Sequence, residues 1–236
     1  MLVNTTGAGG KGVFALDVTH PSNFQATPAA SASGVLWELD NTVSGFTDMG
    51  YTIGEVTIAR LENNQWAAIF ANGYESDSGK AVIYIVNLED GSLIRSFDTD
   101  PTDTITGNGM STPVVVDLDG NLSADTIYAG DIKGNLWKID ISDASNISNW
   151  GFSHEGGGNP KPPEPIFIAL DQNGDPQPIT AKPQLGNHDD GGYVVYFGTG
   201  QYYATGDNTV ASTPPIQTFY GIRDDSNDQV DSDRSE

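Results

Sequence analysis

Apolar residues in this chain come in short runs, each closed by a cluster of Gly, Asp, Asn, Ser or Pro, and this punctuation most narrows what the chain can fold into. A run such as Ala81-Val-Ile-Tyr-Ile-Val86 has the length of one strand and is rich in the branched and aromatic side chains that fit a pleated surface. No stretch sustains apolar residues at helical spacing over several turns, so the sequence offers no amphipathic helix. The 28 Gly and 13 Pro supply the turns that many short strands require. The pattern predicts an all-β fold, and 236 residues suffice for one large β domain. No apolar run approaches the roughly 18 residues of a spanning helix, so no membrane span is expected.

Several strand-like segments share a form. Gly12-Val-Phe-Ala-Leu-Asp17, Gly34-Val-Leu-Trp-Glu-Leu-Asp40 and Gly134-Asn-Leu-Trp-Lys-Ile-Asp140 each start at Gly, carry an aromatic and end on Asp. A looser copy, Ala81 to Gly91, runs on through Ser92-Leu-Ile-Arg-Ser-Phe-Asp98 as a hairpin. Recurrence at roughly 40 to 60 residues is the spacing of radially arranged four-stranded blades, which makes a β-propeller the economical architecture. Further strands are predicted at Glu55–Arg60 and Gln65–Ala71, from Tyr128 to Trp137 around a tight turn, at Tyr193–Gly198 and at Thr218–Arg223. Residues 142 to 165, with Gly156-Gly-Gly158 and four Pro between 160 and 165, read as a connection or an insertion on one propeller face. The expected organisation is a partial propeller over residues 1–223, then an acidic polar tail over 224–236, either disordered or a cut linker.

Between Pro113-Val-Val-Val116 and Thr126-Ile-Tyr-Ala129 lies Asp117-Leu-Asp-Gly-Asn-Leu-Ser-Ala-Asp125, which places oxygen donors at alternate positions at the tip of a predicted hairpin. The side chains of Asp117, Asp119, Asn121 and Asp125 and the backbone carbonyl of Ser123 can be aimed at one centre. Such a hard-oxygen set suits Ca²⁺, which takes six to eight oxygens in irregular geometry. The loop is not an EF-hand, because Leu122 and Tyr128 stand where that motif needs its Gly and its bidentate Glu. The competing reading is a solvated acidic turn, since Asp, Asn and Gly favour turns for backbone reasons alone. Five alternate donors exceed what turn chemistry requires.

Other candidates are weaker. Gly7-Ala-Gly-Gly-Lys-Gly12 matches G-x-G-x-x-G, but it precedes a strand and no crossover helix follows, so it reads as a flexible turn. Asp171-Gln-Asn-Gly-Asp175 repeats the alternate-oxygen spacing with fewer donors and reads as a hairpin turn. His20, His154 and His188 stand in turn-like sequence without a second His at ligand spacing, and His188-Asp189-Asp190 is a poor base and acid pair because adjacent residues seldom face each other. No catalytic motif accompanies them, and a non-enzymatic role is expected. The net charge of −22 argues against a nucleic-acid partner and makes cations the natural ligands. Cys is absent, so no disulfide or thiolate chemistry is available. Met1-Leu-Val-Asn-Thr-Thr lacks a secretory pattern, which leaves a cytoplasmic protein or a piece of a longer exported one.

Taken in order, Gly9-Gly-Lys-Gly-Val-Phe-Ala-Leu-Asp-Val-Thr19, Trp66-Ala-Ala-Ile-Phe-Ala-Asn-Gly-Tyr74, Ser111-Thr-Pro113, Tyr128-Ala-Gly-Asp-Ile-Lys-Gly-Asn-Leu-Trp137 and Tyr196-Phe-Gly-Thr-Gly-Gln-Tyr202 resemble the PilY/PilC family of type IV pilus biogenesis and adhesion factors. The resemblance covers roughly residues 7 to 223. It implies a C-terminal β-propeller of the quinoprotein-dehydrogenase type in an exported protein, at the pilus tip or outer surface of a Gram-negative bacterium. It further implies Ca²⁺ at Asp117, Asp119, Asn121, Ser123 and Asp125, a role in pilus extension and retraction, twitching motility and adhesion, and partners among pilus components and host or abiotic surfaces. The match begins inside the family propeller, so an open set of blades is expected, with self-association as one way to cover it. Two other readings stay open: a quinoprotein dehydrogenase using pyrroloquinoline quinone, and a calcium-dependent carbohydrate-binding module.

Overall fold

The computed structural model describes residues 1–20, 34–157, 161–210 and 212–224. The predicted polar segment beyond Asp224, the Pro-, Ser- and Ala-rich stretch after His20, Gly158 and Pro160 lie outside the described residues. No α-helix occurs among the described residues, and fifteen strands form four antiparallel sheets. The first sheet is β1 (Leu2–Thr5), β2 (Gly12–Leu16) and β3 (Val35–Asp40), in that order. The second is β4 (Thr57–Arg60), β5 (Trp66–Ala71), β6 (Val82–Asn87) and β7 (Leu93–Asp98). The third runs from β8 (Val114–Val116) through β9 (Thr126–Gly130) to β10 (Asn135–Asp140). Its outer edge is shared by two short pieces, β11 (Gly151–Phe152) against Ile139 and Asp140 and β12 (Phe167–Ile168) against Asn135 and Leu136. The fourth is β13 (Gln184–Asn187), β14 (Tyr193–Gly198) and β15 (Phe219–Asp224). The predicted connection at 142 to 165 thus contributes β11, one of the two pieces of that outer edge, and β12 follows it.

The middle sheets are apolar along whole strands because both of their faces are covered. Side chains alternate across a strand. In β5, Ala67, Ile69 and Ala71 face the third sheet while Ala68 and Phe70 face the first, and in β6 Ile83 and Ile85 separate in the same way from Val82, Tyr84 and Val86. In β9 and β10, Ile127, Ala129, Trp137 and Ile139 turn to the second sheet, whereas Tyr128 and Leu136 turn to the fourth. Three cores therefore alternate with four sheets, the face-to-face stacking of propeller blades. Among the described residues the first and last sheets have one covered face each, and Leu2, Val35, Leu36, Tyr196 and Phe219 are exposed.

The shared Gly-to-Asp form does not mark equivalent strands throughout. The segment at Gly134 gives the third strand of its sheet, in the place β6 holds in the second sheet, and that at Gly12 the middle strand of three, but Val35–Asp40 pairs with β2 as the next strand of the same sheet. Short aromatic strands ending in Asp suit either position, because what the pattern encodes is a half-buried strand followed by an Asp-capped turn. Asp40 caps its turn by accepting the Thr42 NH and hydroxyl, and Asp140 does the same for Ser142.

Buried polar side chains tie the sheets together near single bridges at Gly73–Met110, Met110–Asp131 and Ile179–Gly200. Asn72, fully buried, donates to the carbonyls of Asp48 and Lys80 and accepts from the NH groups of Val82 and Met110. Asp131, also fully buried, accepts from the Asn135 NH and side chain, from Asn108 and from the Trp137 indole, all at 2.9 Å. Gly73 sits at φ +75°, and a Cβ there would meet the Tyr51 carbonyl at 2.0 Å, so only Gly fits this crossing. The last strand runs through Asp224, whose carboxylate accepts the Tyr128 hydroxyl at 2.5 Å and pairs with Lys138 at 2.8 Å, binding the fourth sheet to the third. Asp224, expected at the start of the polar tail, is thus an anchored strand residue.

Candidate metal centre

The loop between β8 and β9 is shaped by its own side chains capping its backbone. Asp117 accepts the NH groups of Gly120 at 2.7 Å, Asn121 at 3.2 Å and Leu122 at 2.7 Å. Asp119 accepts the Asn121 NH at 2.9 Å, and the Asn121 side-chain oxygen accepts the Ser123 NH at 2.7 Å. Asp125 reaches back to the NH groups of Leu118 at 2.6 Å and Asp119 at 3.3 Å. These bonds bend the chain through left-handed conformations at Gly120 and Leu122, with φ of +80° and +70°. For Leu that conformation costs roughly 1–2 kcal/mol. Leu122 is 80% exposed, so burial of its own side chain does not offset that cost.

The consequence is convergence. One oxygen from each of Asp117, Asp119 and Asp125 lies within 4.8 Å of the other two, and among the described residues this is the one such grouping of potential metal ligands. Asp125 is 7% exposed. Burial, then the charge of Asp119 and a side-chain hydrogen bond with Glu62, push its carboxyl above the usual range despite the NH groups of Leu118 and Asp119. Burial acts upward on Asp117 too, but the NH groups of Leu122, Gly120 and Asn121 outweigh it and hold that carboxyl below the usual range. None of the ion pairs among the described residues involves these carboxylates. An all-oxygen donor set carrying uncompensated negative charge fits a hard divalent cation.

Of the five predicted donors, three carboxylates are brought together. The Asn121 side chain stands beside them, its nitrogen donating to Asp119 at 3.0 Å while its oxygen holds the Ser123 NH. Ser123 is buried at the end of the loop. Two neighbours invisible from the loop sequence also reach it. Glu62, in the β4–β5 turn, accepts from the Asn121 amide nitrogen at 2.8 Å, and the Tyr193 hydroxyl on β14 donates to the Leu118 carbonyl at 3.0 Å. The Ala124 NH bonds the Arg60 carbonyl at 2.8 Å beside a single bridge between Leu61 and Ala124. The loop on the third sheet therefore touches both neighbouring sheets.

The other candidates are turns. Gly7-Ala-Gly9 lies in the β1–β2 connection, closed by Thr6 on Gly12. The Asp171 carboxylate accepts the NH groups of Asn173 and Asp175 across a tight reversal. His188 uses Nδ1 to accept the Asp190 NH in the β13–β14 turn.

Stacked antiparallel blades with an acidic loop at the tip of one inner hairpin define a β-propeller segment with a candidate cation site. The family model described as the PilY1 beta-propeller domain matches residues 1–234, and the chain belongs to that family. A type IV pilus biogenesis factor PilY1 homolog of Xylella fastidiosa is 42% identical over 233 residues, covering 95% of this chain and 15% of that protein. Type IV pilus biogenesis factor PilY1 of Pseudomonas aeruginosa strain UCBPP-PA14 is 37% identical over 239 residues, covering 95% and 19% respectively. The crystal structure of the Pseudomonas aeruginosa PilY1 C-terminal domain superimposes with a TM-score of 0.81 at 34% identity, covering 96% of this chain and 45% of that one. The chain thus spans less than a fifth of the length of these full-length relatives.

Proposed function

We propose that this chain is a calcium-binding, non-enzymatic propeller segment of a type IV pilus biogenesis factor. In this reading Asp117, Asp119, Asn121 and Asp125 supply side-chain oxygens and Ser123 its carbonyl, with Ca²⁺ as the resident ion. The protein acts outside the cell, at the pilus tip or outer membrane, where ion occupancy biases pilus extension against retraction and where pilus components and host or abiotic surfaces are its partners. The propeller part ends with β15, and the acidic remainder serves as a tail or linker.

The observation that carries this reading is the convergence of the Asp117, Asp119 and Asp125 carboxylates at one hairpin tip. Its support comes from the family membership and from relatives that are named as biogenesis factors. Calorimetry on the full chain tests it. Ca²⁺ is expected to bind with measurable heat and to be preferred over Mg²⁺, which demands a compact octahedron and keeps several of its waters. No heat with Ca²⁺, or equal affinity for the two ions, overturns the calcium assignment.

A further inference from the structure

The loop carries one donor whose orientation matters more than its position. Asn121 can offer a cation only its side-chain oxygen, because its amide nitrogen is a donor and repels a cation. The nitrogen therefore needs an acceptor of its own. Asp119 is the local one, at 3.0 Å, but Asp119 also supplies an oxygen to the converging group. The other acceptor is Glu62 at 2.8 Å, which arrives from the β4–β5 turn of the second sheet, 59 residues away. Glu62 is held there by well-defined neighbours. Leu61 is fully buried in the core shared by the two sheets, and its bridge to Ala124, with the bond from the Ala124 NH to the Arg60 carbonyl, sets the turn against the loop.

We infer that Glu62 is a positioning residue of the cation site, reaching across the blade boundary to hold the Asn121 amide nitrogen and so fix the side chain whose oxygen, which already accepts the Ser123 NH, has a second lone pair for the ion. This rests on the calcium reading above. A partner that orients a ligand typically matters 10- to 100-fold for metal affinity. Glu62 also adds a fourth carboxylate to the field around the loop. A loaded loop then engages a hydrogen bond anchored on the second sheet, so occupancy is coupled to the contact between two blades as well as to the hairpin tip.

Glu62→Ala and Glu62→Gln in the full chain test this, with calcium calorimetry and hydrogen exchange as readouts. Glu62→Ala removes the acceptor and is expected to weaken Ca²⁺ binding about 10- to 100-fold. Glu62→Gln keeps an acceptor oxygen and should recover most of that loss. In the wild type, Ca²⁺ should slow amide exchange in the 61–65 turn as well as in the loop, and in Glu62→Ala the slowing should be confined to the loop. Equal losses in the two variants would reduce Glu62 to a point charge and overturn the positioning role. Wild-type affinity in Glu62→Ala, or a turn indifferent to Ca²⁺ in the wild type, would overturn the inference while leaving the calcium site standing. A wild type that binds no Ca²⁺ removes both.

Discussion

Replacing Asp125 by Asn separates the two tasks this residue performs. Without the ion, its carboxylate closes the loop by accepting the NH groups of Leu118 and Asp119. Both bonds end on one oxygen, Oδ2, so Asn with its amide oxygen in that place keeps both, and removing the charge relieves repulsion with Asp119. A neutral amide oxygen accepts these bonds more weakly than a carboxylate and the reduced repulsion offsets that loss, so stability in a chelator should stay within about 1 kcal/mol of the wild type. The sign of the pH dependence follows from the raised carboxyl. A folded state that holds a proton more tightly than the unfolded chain loses stability as pH rises from the ordinary carboxylate range through the raised value, and the Asn variant lacks that loss. With Ca²⁺ at about 100 times its dissociation constant, the wild type gains about 2.7 kcal/mol. For a chain of this size that is a rise in Tm of about 5 to 10 °C. Thermal unfolding followed by circular dichroism, in chelator and in Ca²⁺, reads both quantities. The wild type should shift, and Asp125→Asn should not. A variant that keeps the calcium-dependent rise refutes the ligand role. A variant that unfolds in chelator refutes the separation of loop from core, because Ile127, Ala129 and Trp137 would then depend on the loop for their packing.

Two further outcomes follow from buried and capped carboxylates. Asp131→Ala leaves the Trp137 indole, the Asn108 amide and the Asn135 backbone and side-chain NH groups without their acceptor around a fully buried carboxylate position, and at about 1–3 kcal/mol for each unpaired donor the loss should reach about 4 kcal/mol or more. Urea unfolding checks it, and a loss below about 1 kcal/mol would mean that other groups take over the donors. At Asp100, burial opposes ionisation but the Thr102 hydroxyl and the NH groups of Ile105 and Thr104 outweigh it, leaving the carboxyl at about 2 against 3.8 in a free chain. A depressed carboxyl contributes stability that is full above about pH 4 and is lost as pH falls through about 2, so the acid side of the stability profile should be shallower in Asp100→Asn. Identical acid limbs in the two proteins would count against those bonds.

The strands were legible in the sequence because a strand is a local object. Runs such as Val82 to Asn87 and Thr126 to Gly130 combine branched and aromatic residues with Asp- and Gly-rich ends, and pleating turns that pattern into alternation without help from elsewhere. The loop from Asp117 to Asp125 was legible for the same reason, since its donors lie within a few residues and shape one another's backbone. What the chain could not announce locally is which face of each strand meets which neighbour. Ala68 and Ile69 are adjacent and both fully buried, yet they belong to different cores, a separation that exists only when sheets stack on both sides. The same holds for Val35–Asp40, which copies the form of its neighbour β2 and is assigned to the same sheet only by pairing. Asp131, Asn72 and Asp224 read as turn or tail residues until packing excludes water around their partners. Glu62 gains its place beside Asn121 through a contact across two sheets, and the strength of such a contact depends on the close approach of Leu61 and Ala124, which no local spacing encodes.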